Sequence, residues 1–126
     1  MNEIITALFT RLTAQLSVEV YDHVPQGTDA YPYAVMRIVQ TRNDDTDTET
    51  GNSVILRVTG YSRYRGFSEL MVLADEITAA LNNWEMANTV SFEVGTFKEQ
   101  FRQFFVDSDN LTRYSVQEYI FYYEPV

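Results

Sequence analysis

"SVILRVTGYSRYRGFSELMVLADEITAAL", from Ser53 to Leu81, changes character partway along. Up to Tyr61 it is rich in β-branched and aromatic residues, the composition of a strand. From Phe67 onward, Phe67, Leu70, Met71, Ala74, Ile77 and Leu81 recur at three- and four-residue intervals, with Asp75, Glu76 and Thr78 away from the centre of that face. This spacing predicts a helix that runs to Asn82. Ser62 to Gly66 must therefore turn a strand into a helix, and the turn carries Arg63, Tyr64 and Arg65.

Upstream, Pro32 to Thr41 is a second strong strand candidate, and the polar stretch Arg42 to Asn52 reads as the tip of a long hairpin joining the two. Ile4, Ile5, Leu8, Phe9, Leu12 and Leu16 give residues 3–16 the period of an amphipathic helix. A short extended piece starts at Val18 and is stopped by Pro25 and Gly27. Downstream, Val90 to Val94 reads as a strand and Asp107 to Asn110 as a turn. Phe97, Phe101, Phe104 and Phe105 fit a helix as well as a twisted strand, and Thr112 to Tyr123 is a long aromatic strand. Strands in runs, interrupted by one helix, point to an α+β fold. The expected architecture is an antiparallel or mixed sheet with both helices packed on one face and a protruding hairpin arm. All of 1–126 reads as a single domain.

Eighteen Asp and Glu against nine Lys and Arg leave a net charge of -9, which opposes nonspecific binding to phosphate backbones. The 45% apolar content argues against disorder. Without cysteine, neither disulfides nor thiolate metal sites can form. No signal-type leader or membrane-length apolar run is visible. The lone His23 has no nucleophile context, the five glycines are scattered, and no carboxylate pair suggests acid/base work. The run from Asp45 resembles a calcium loop only superficially, since Thr50 and Leu56 stand where an EF-hand needs Gly and Glu. No catalytic, cofactor-binding or metal-binding residue is expected.

Two segments remain as candidate contact surfaces. In the arm, Asp44 leads into Asp45, Asp47 and Glu49, which alternate with Thr46, Thr48 and Thr50. An extended arm would show carboxylates on one side and hydroxyls on the other, either as a solvated tip or as a piece that a neighbouring subunit orders. At the turn, Arg63, Tyr64 and Arg65 are the residue types enriched where protein surfaces meet. Two arginines near a helix N-terminus oppose its dipole, so a carboxylate partner from this chain or another would account for them. Simple solvation of both is the alternative.

The blocks "VYDHVPQGTDAYPYAVM", "VILRVTGYSRYRGFSELMVLADEITAAL" and "DSDNLTRYSVQEYIF" occur in an order that resembles phage tail-completion proteins. That family includes the tail terminators, or tail-to-head joining proteins, of long-tailed phages and related prophage elements. The resemblance runs from Leu8 to Tyr123. Its most telling pieces are Val20-Tyr21-Asp22 with Val24-Pro25, then Pro32-Tyr33, then Tyr61-Ser62-Arg63 with Gly66, and the turn leading to Arg113. It departs at Asn110, where such turns often carry Gly, and in the carboxylate richness of the arm.

The resemblance implies an α+β subunit that forms a six-membered ring on the finished tail tube, stops polymerisation and meets the head connector or stopper protein. DNA would pass through the ring without being held. The protein would belong to the virion, at the head-proximal end of the tail, and to the host cytoplasm during assembly, with no membrane partner. The resemblance also implies a strand for Phe97 to Val106. Competing readings are a tube subunit or another head–tail connector, a cytoplasmic adaptor domain unrelated to virions, and, last, an enzyme.

Overall fold

The structure, a computed structural model, describes residues 2–23, 31–43 and 51–125. The elements are α1 (Asn2–Gln15), β1 (Glu19–Tyr21), β2 (Tyr33–Asn43), β3 (Asn52–Ser62), α2 (Ser68–Leu81), β4 (Phe92–Val94), β5 (Lys98–Val106) and β6 (Arg113–Pro125). They form one six-stranded sheet in which β1 runs parallel to β2 and every other pairing is antiparallel. The fold is therefore α+β with a mixed sheet.

The long strand β6 organises the sheet. On one side it pairs with the whole of β3, from Asn52↔Tyr123 to Ser62↔Arg113. Its other side is divided, with β5 against Arg113 to Ile120 and β4 against Tyr123 to Pro125. Side chains alternate between faces along a strand. Val54, Leu56, Val58 and Gly60 of β3, with Ser115, Gln117, Tyr119 and Phe121 of β6, accordingly form one buried row each. Both helices cover that face: Ile4, Leu8 and Leu12 of α1 join Leu73, Ile77 and Leu81 of α2 in one core with the strand residues.

The ambiguous phenylalanine stretch is strand β5. Phe101 pairs with Glu118 and Phe105 with Tyr114, whereas Arg102 and Phe104 point to the helix side beside Gln117 and Ser115. A helix would have put the phenylalanines on one stripe, but the unpaired edge of β6 needs hydrogen-bond partners, and β5 supplies them.

The helix faces differ in phase from the sequence expectation. In α2, Leu73 and Ala80 are buried with Leu70, Ala74, Ile77 and Leu81, while Phe67 and Met71 are exposed. In α1, Phe9 faces outward. Close approach explains the first shift. A Cβ on Gly60 would lie 2.8 Å from Leu73 Cδ2 and 2.9 Å from Ser115 Oγ, so the missing side chain is what lets Leu73 rest on the sheet. The hairpin is paired as far as Asn43↔Asn52. Asp44 to Thr50, with the candidate residues Asp44, Asp45, Asp47 and Glu49, lie outside the described residues, as do Val24 and Pro25.

Candidate functional site: the strand-to-helix turn and its surroundings

Residues Arg63 to Phe67 make the turn, and Gly66 adopts φ +86, a left-handed conformation that other residues rarely enter. The turn is tied down from both sides. Ser62 Oγ accepts the Tyr64 N–H at 3.1 Å and donates to Glu69 Oε1 at 2.7 Å. Arg113 Nη1 donates to the Tyr64 carbonyl at 3.1 Å, and its guanidinium lies over the Phe67 ring.

The two arginines of the turn have different surroundings. Arg63 Nε donates to Thr112 Oγ1 at 3.1 Å, and its guanidinium sits 4.4 Å over the Tyr31 ring. Thr112 Oγ1 in turn donates to Asp109 Oδ2 at 2.8 Å. Arg65 is exposed and makes no hydrogen bond or ion pair among the described residues. Tyr64 is 56% exposed. Neither arginine has a carboxylate within ion-pair distance among the described residues, so the carboxylate partner expected from the helix-dipole argument is not supplied there.

Asp109 shapes the neighbouring β5–β6 turn. Its Oδ1 accepts the Leu111 and Thr112 N–H groups, each at 2.8 Å. The backbone bonds from Thr112 and Leu111, then the Thr112 hydroxyl, hold the Asp109 carboxyl below the usual aspartate range. Asn110 takes φ 56, tolerated by Asn where such turns often carry Gly.

Beyond the turn, an aromatic row crosses the sheet on the face away from the helices. Tyr33, Tyr61, Tyr114 and Phe105 occupy matched positions on β2, β3, β6 and β5. Their ring centroids are 5.0, 6.0 and 5.0 Å apart in sequence along the row. Tyr21 of β1 extends it, 5.7 Å from Tyr33. Burial, aided by neighbouring Tyr31, pushes the Tyr33 hydroxyl up to about 12, and burial also raises Tyr61. The Tyr33 and Tyr61 hydroxyls are therefore neutral at physiological pH. Sequence reading named Tyr64 but not this row, Tyr31 or the role of Arg113. The available signal was a tyrosine at one end of several candidate strands.

Little here suggests bond-making chemistry. A groove of about 800 Å³ lies between the end of α1, β1 and the start of α2. Its titratable side chains are Glu19, Glu69, Glu76 and Tyr64. Glu76 accepts the Ser17 N–H and hydroxyl, and Glu69 is bonded to Ser62. His23 is exposed. Among the described residues no group of three or more His, Cys, Asp or Glu is placed to hold a metal, and no helix is long and apolar enough to cross a membrane.

Residues 3–124 match the family described as "Tail completion protein gp17". The chain belongs to that family. Its role is accordingly structural, in the phage tail. A solved chain from "Virion of native gene transfer agent (GTA) particle" superposes with a TM-score of 0.84 at 16% identity, over 94% of this chain and 92% of the other. At that identity the likeness establishes the shared fold. No curated protein matches the chain. Against the tail-completion fold, the turn at Arg63 to Arg65, the β5–β6 turn and the aromatic row are features of one end of the sheet.

Proposed function

We propose that this tail-completion protein assembles into a six-membered ring on the end of the finished tail tube, ends tube polymerisation there, and forms the joint to the head connector. The observation that carries this reading is the family match across residues 3–124. Arg65 and Tyr64, solvated in the single subunit, are its contacts to a neighbouring subunit or to a tail partner. The acidic balance of the chain suits a ring through which DNA slides without being held. The protein is not an enzyme; it acts in the virion at the head-proximal end of the tail, after assembly in the host cytoplasm.

The test is removal of the gene from a particle-producing strain, with electron microscopy of the products. Tails of uncontrolled length, or tails of normal length that fail to join heads, are expected, with rescue by the protein supplied in trans. Purified protein that grows into long cylinders would make it a tube subunit instead. Normal, head-joined tails in its absence would overturn the reading.

A further inference from the structure

Among the described residues, strand β5 leaves one edge of the sheet bare. Its inner edge pairs with β6, but among the described residues nothing pairs with its outer edge from Phe101 to Val106. Only the start of the strand is covered, where Asn82 Oδ1 accepts the Glu99 N–H and the Phe97 backbone bonds to Trp84 and Asn83. The bare part carries Phe101 and Phe105 at 38% exposure and Val106 at 47%. Proteins normally blunt such an edge with charge, proline or a bulge, because it templates pairing with another chain. The bulge between Glu99 and Phe101 lies before the bare stretch and does not blunt it.

Cations gather around this edge, interspersed with the carboxylates of Glu99, Asp107 and Asp109. Of the nine basic residues, five lie on β5 or at its ends: Lys98, Arg102, Arg113, Arg63 and Arg65. Arg113 pairs in register with Val106 and bonds the Tyr64 carbonyl, which brings the Arg63–Arg65 turn to the end of the strand. Of the five only Arg102 has a carboxylate within ion-pair distance among the described residues, with Asp75 at 3.0 Å. Among the described residues, Arg63, Arg65 and Arg113 thus have no ion-pair partner near the bare end of this apolar edge. That edge fits an acidic, extended segment.

We propose that the outer edge of β5, from Phe101 to Val106, captures the acidic segment Asp44 to Thr50 of a second copy as an added strand. This rests on the ring reading above. The segment is the chain's own run of alternating carboxylates and threonines. Its ends are held where Asn43 pairs with Asn52. One limb of about four extended residues reaches roughly 13 Å, enough to lie along most of the bare edge. Added in register, the carboxylates of that limb face Arg102 on the helix side, with Arg65 and Arg113 beyond. The threonines pack beside Phe101 and Phe105, the cross-strand neighbours that strands favour. Main-chain hydrogen bonds give the contact its affinity, as in other strand additions. A second copy whose segment is donated in one direction and received in the other makes a head-to-tail contact, which closes into a ring when the rotation allows.

The chain has no cysteine, so the contact can be trapped directly. Thr48→Cys with Gln103→Cys, in the full-length protein, is joined with a short bismaleimide on purified particles and in solution at rising concentration. Multimers linked between copies are expected, and neither single variant should give them. Hydrogen exchange should show residues 44–50 and 101–106 gaining protection together on assembly. Asp45→Asn with Asp47→Asn and Glu49→Gln should raise the assembly midpoint at least about tenfold. A linked monomer would mean that the segment folds onto its own edge, and this overturns the proposal. So would a link from Gln103→Cys to Gln40→Cys in place of Thr48→Cys, because β2 would then be the donor. Closed rings that form without the cross-link, with 101–106 unprotected, overturn the strand capture and leave the ring reading standing. Absence of any closed oligomer, on tails or in solution, overturns both.

Discussion

Glu99 lies beneath the C-terminal half of α2, and the residues around it decide its charge. Burial alone would raise its pKa, but hydrogen bonds from Thr78, Gln117 and Tyr119, with Arg102 nearby, outweigh it and bring the carboxyl below the usual range. Thr78 Oγ1, Tyr119 OH and Gln117 Nε2 lie 2.8, 2.9 and 3.2 Å from Oε1. The Ala74 carbonyl, a pure acceptor 3.1 Å from Gln117 Nε2, fixes the orientation of that amide. Because the folded pKa is depressed, the stabilisation is complete above the unfolded value near 4.5 and is lost as pH falls through the folded one. Glu99→Gln should therefore lower stability at neutral pH by about 1–3 kcal/mol. It should also flatten the loss of stability below pH 4.5. Urea unfolding of both proteins at pH 7 and pH 3.5 checks this, and an unchanged acid limb would remove Glu99 from the account. None of this network was legible in the sequence. Its members are scattered from Ala74 to Tyr119, and nothing local distinguishes a buried glutamine from a solvated one.

At the scale of elements, periodicity gave the strands and helices but not the rotation of each helix about its axis. Phe67 and Met71 satisfy the same three- and four-residue spacing as the true face, so α2 offered two overlapping apolar stripes. The choice between them depends on Gly60, a β3 residue that contributes no periodic signal, yet opens the space for Leu73. Likewise Phe9 lies next to a buried stripe of α1 without belonging to it. Energetics should follow the observed faces. Leu12→Ala and Ile77→Ala, both fully buried, should cost about 2–5 kcal/mol each. Met71→Ala should cost under about 1 kcal/mol. Gly60→Ala should cost about 1–3 kcal/mol, because Leu73 is pinned between α2 and the sheet and cannot swing aside freely. Chemical denaturation of the four variants decides the matter. A Met71 loss equal to that at Ile77 would restore the face expected from spacing. The β5 assignment came from resemblance, because four phenylalanines alone satisfy both periods.

For the whole molecule, the question is why an acidic chain gathers cations at one end of its sheet. The sequence marked Arg63 and Arg65 as a pair, but the fold gives them separate tasks. Arg63, though exposed, bonds Thr112 and lies over the Tyr31 ring, and helps hold the end of β1–β2 to the β5–β6 turn. Arg65 is turned to solvent with no partner in its own chain among the described residues. Charge reversal should separate these roles. Arg63→Glu loses an exposed cation–π contact and a hydrogen bond, together about 1–2 kcal/mol of folding stability. It also places a carboxylate near Asp109. Arg65→Glu should leave the unfolding midpoint unchanged, since no described residue of the subunit bonds to it. If Arg65 meets an acidic neighbour in the assembled tail, its reversal puts like charges face to face, which can cost several kcal/mol of association. Thermal unfolding and oligomer size, measured on each variant, should therefore move in opposite proportion: stability chiefly for Arg63, assembly chiefly for Arg65. Duplex DNA should bind neither variant nor the parent at physiological salt, since five cations within a -9 chain are too few to hold it. A salt-sensitive DNA complex lost with Arg65→Glu would give the turn to nucleic acid, and normal assembly by Arg65→Glu would leave it as a solvated turn.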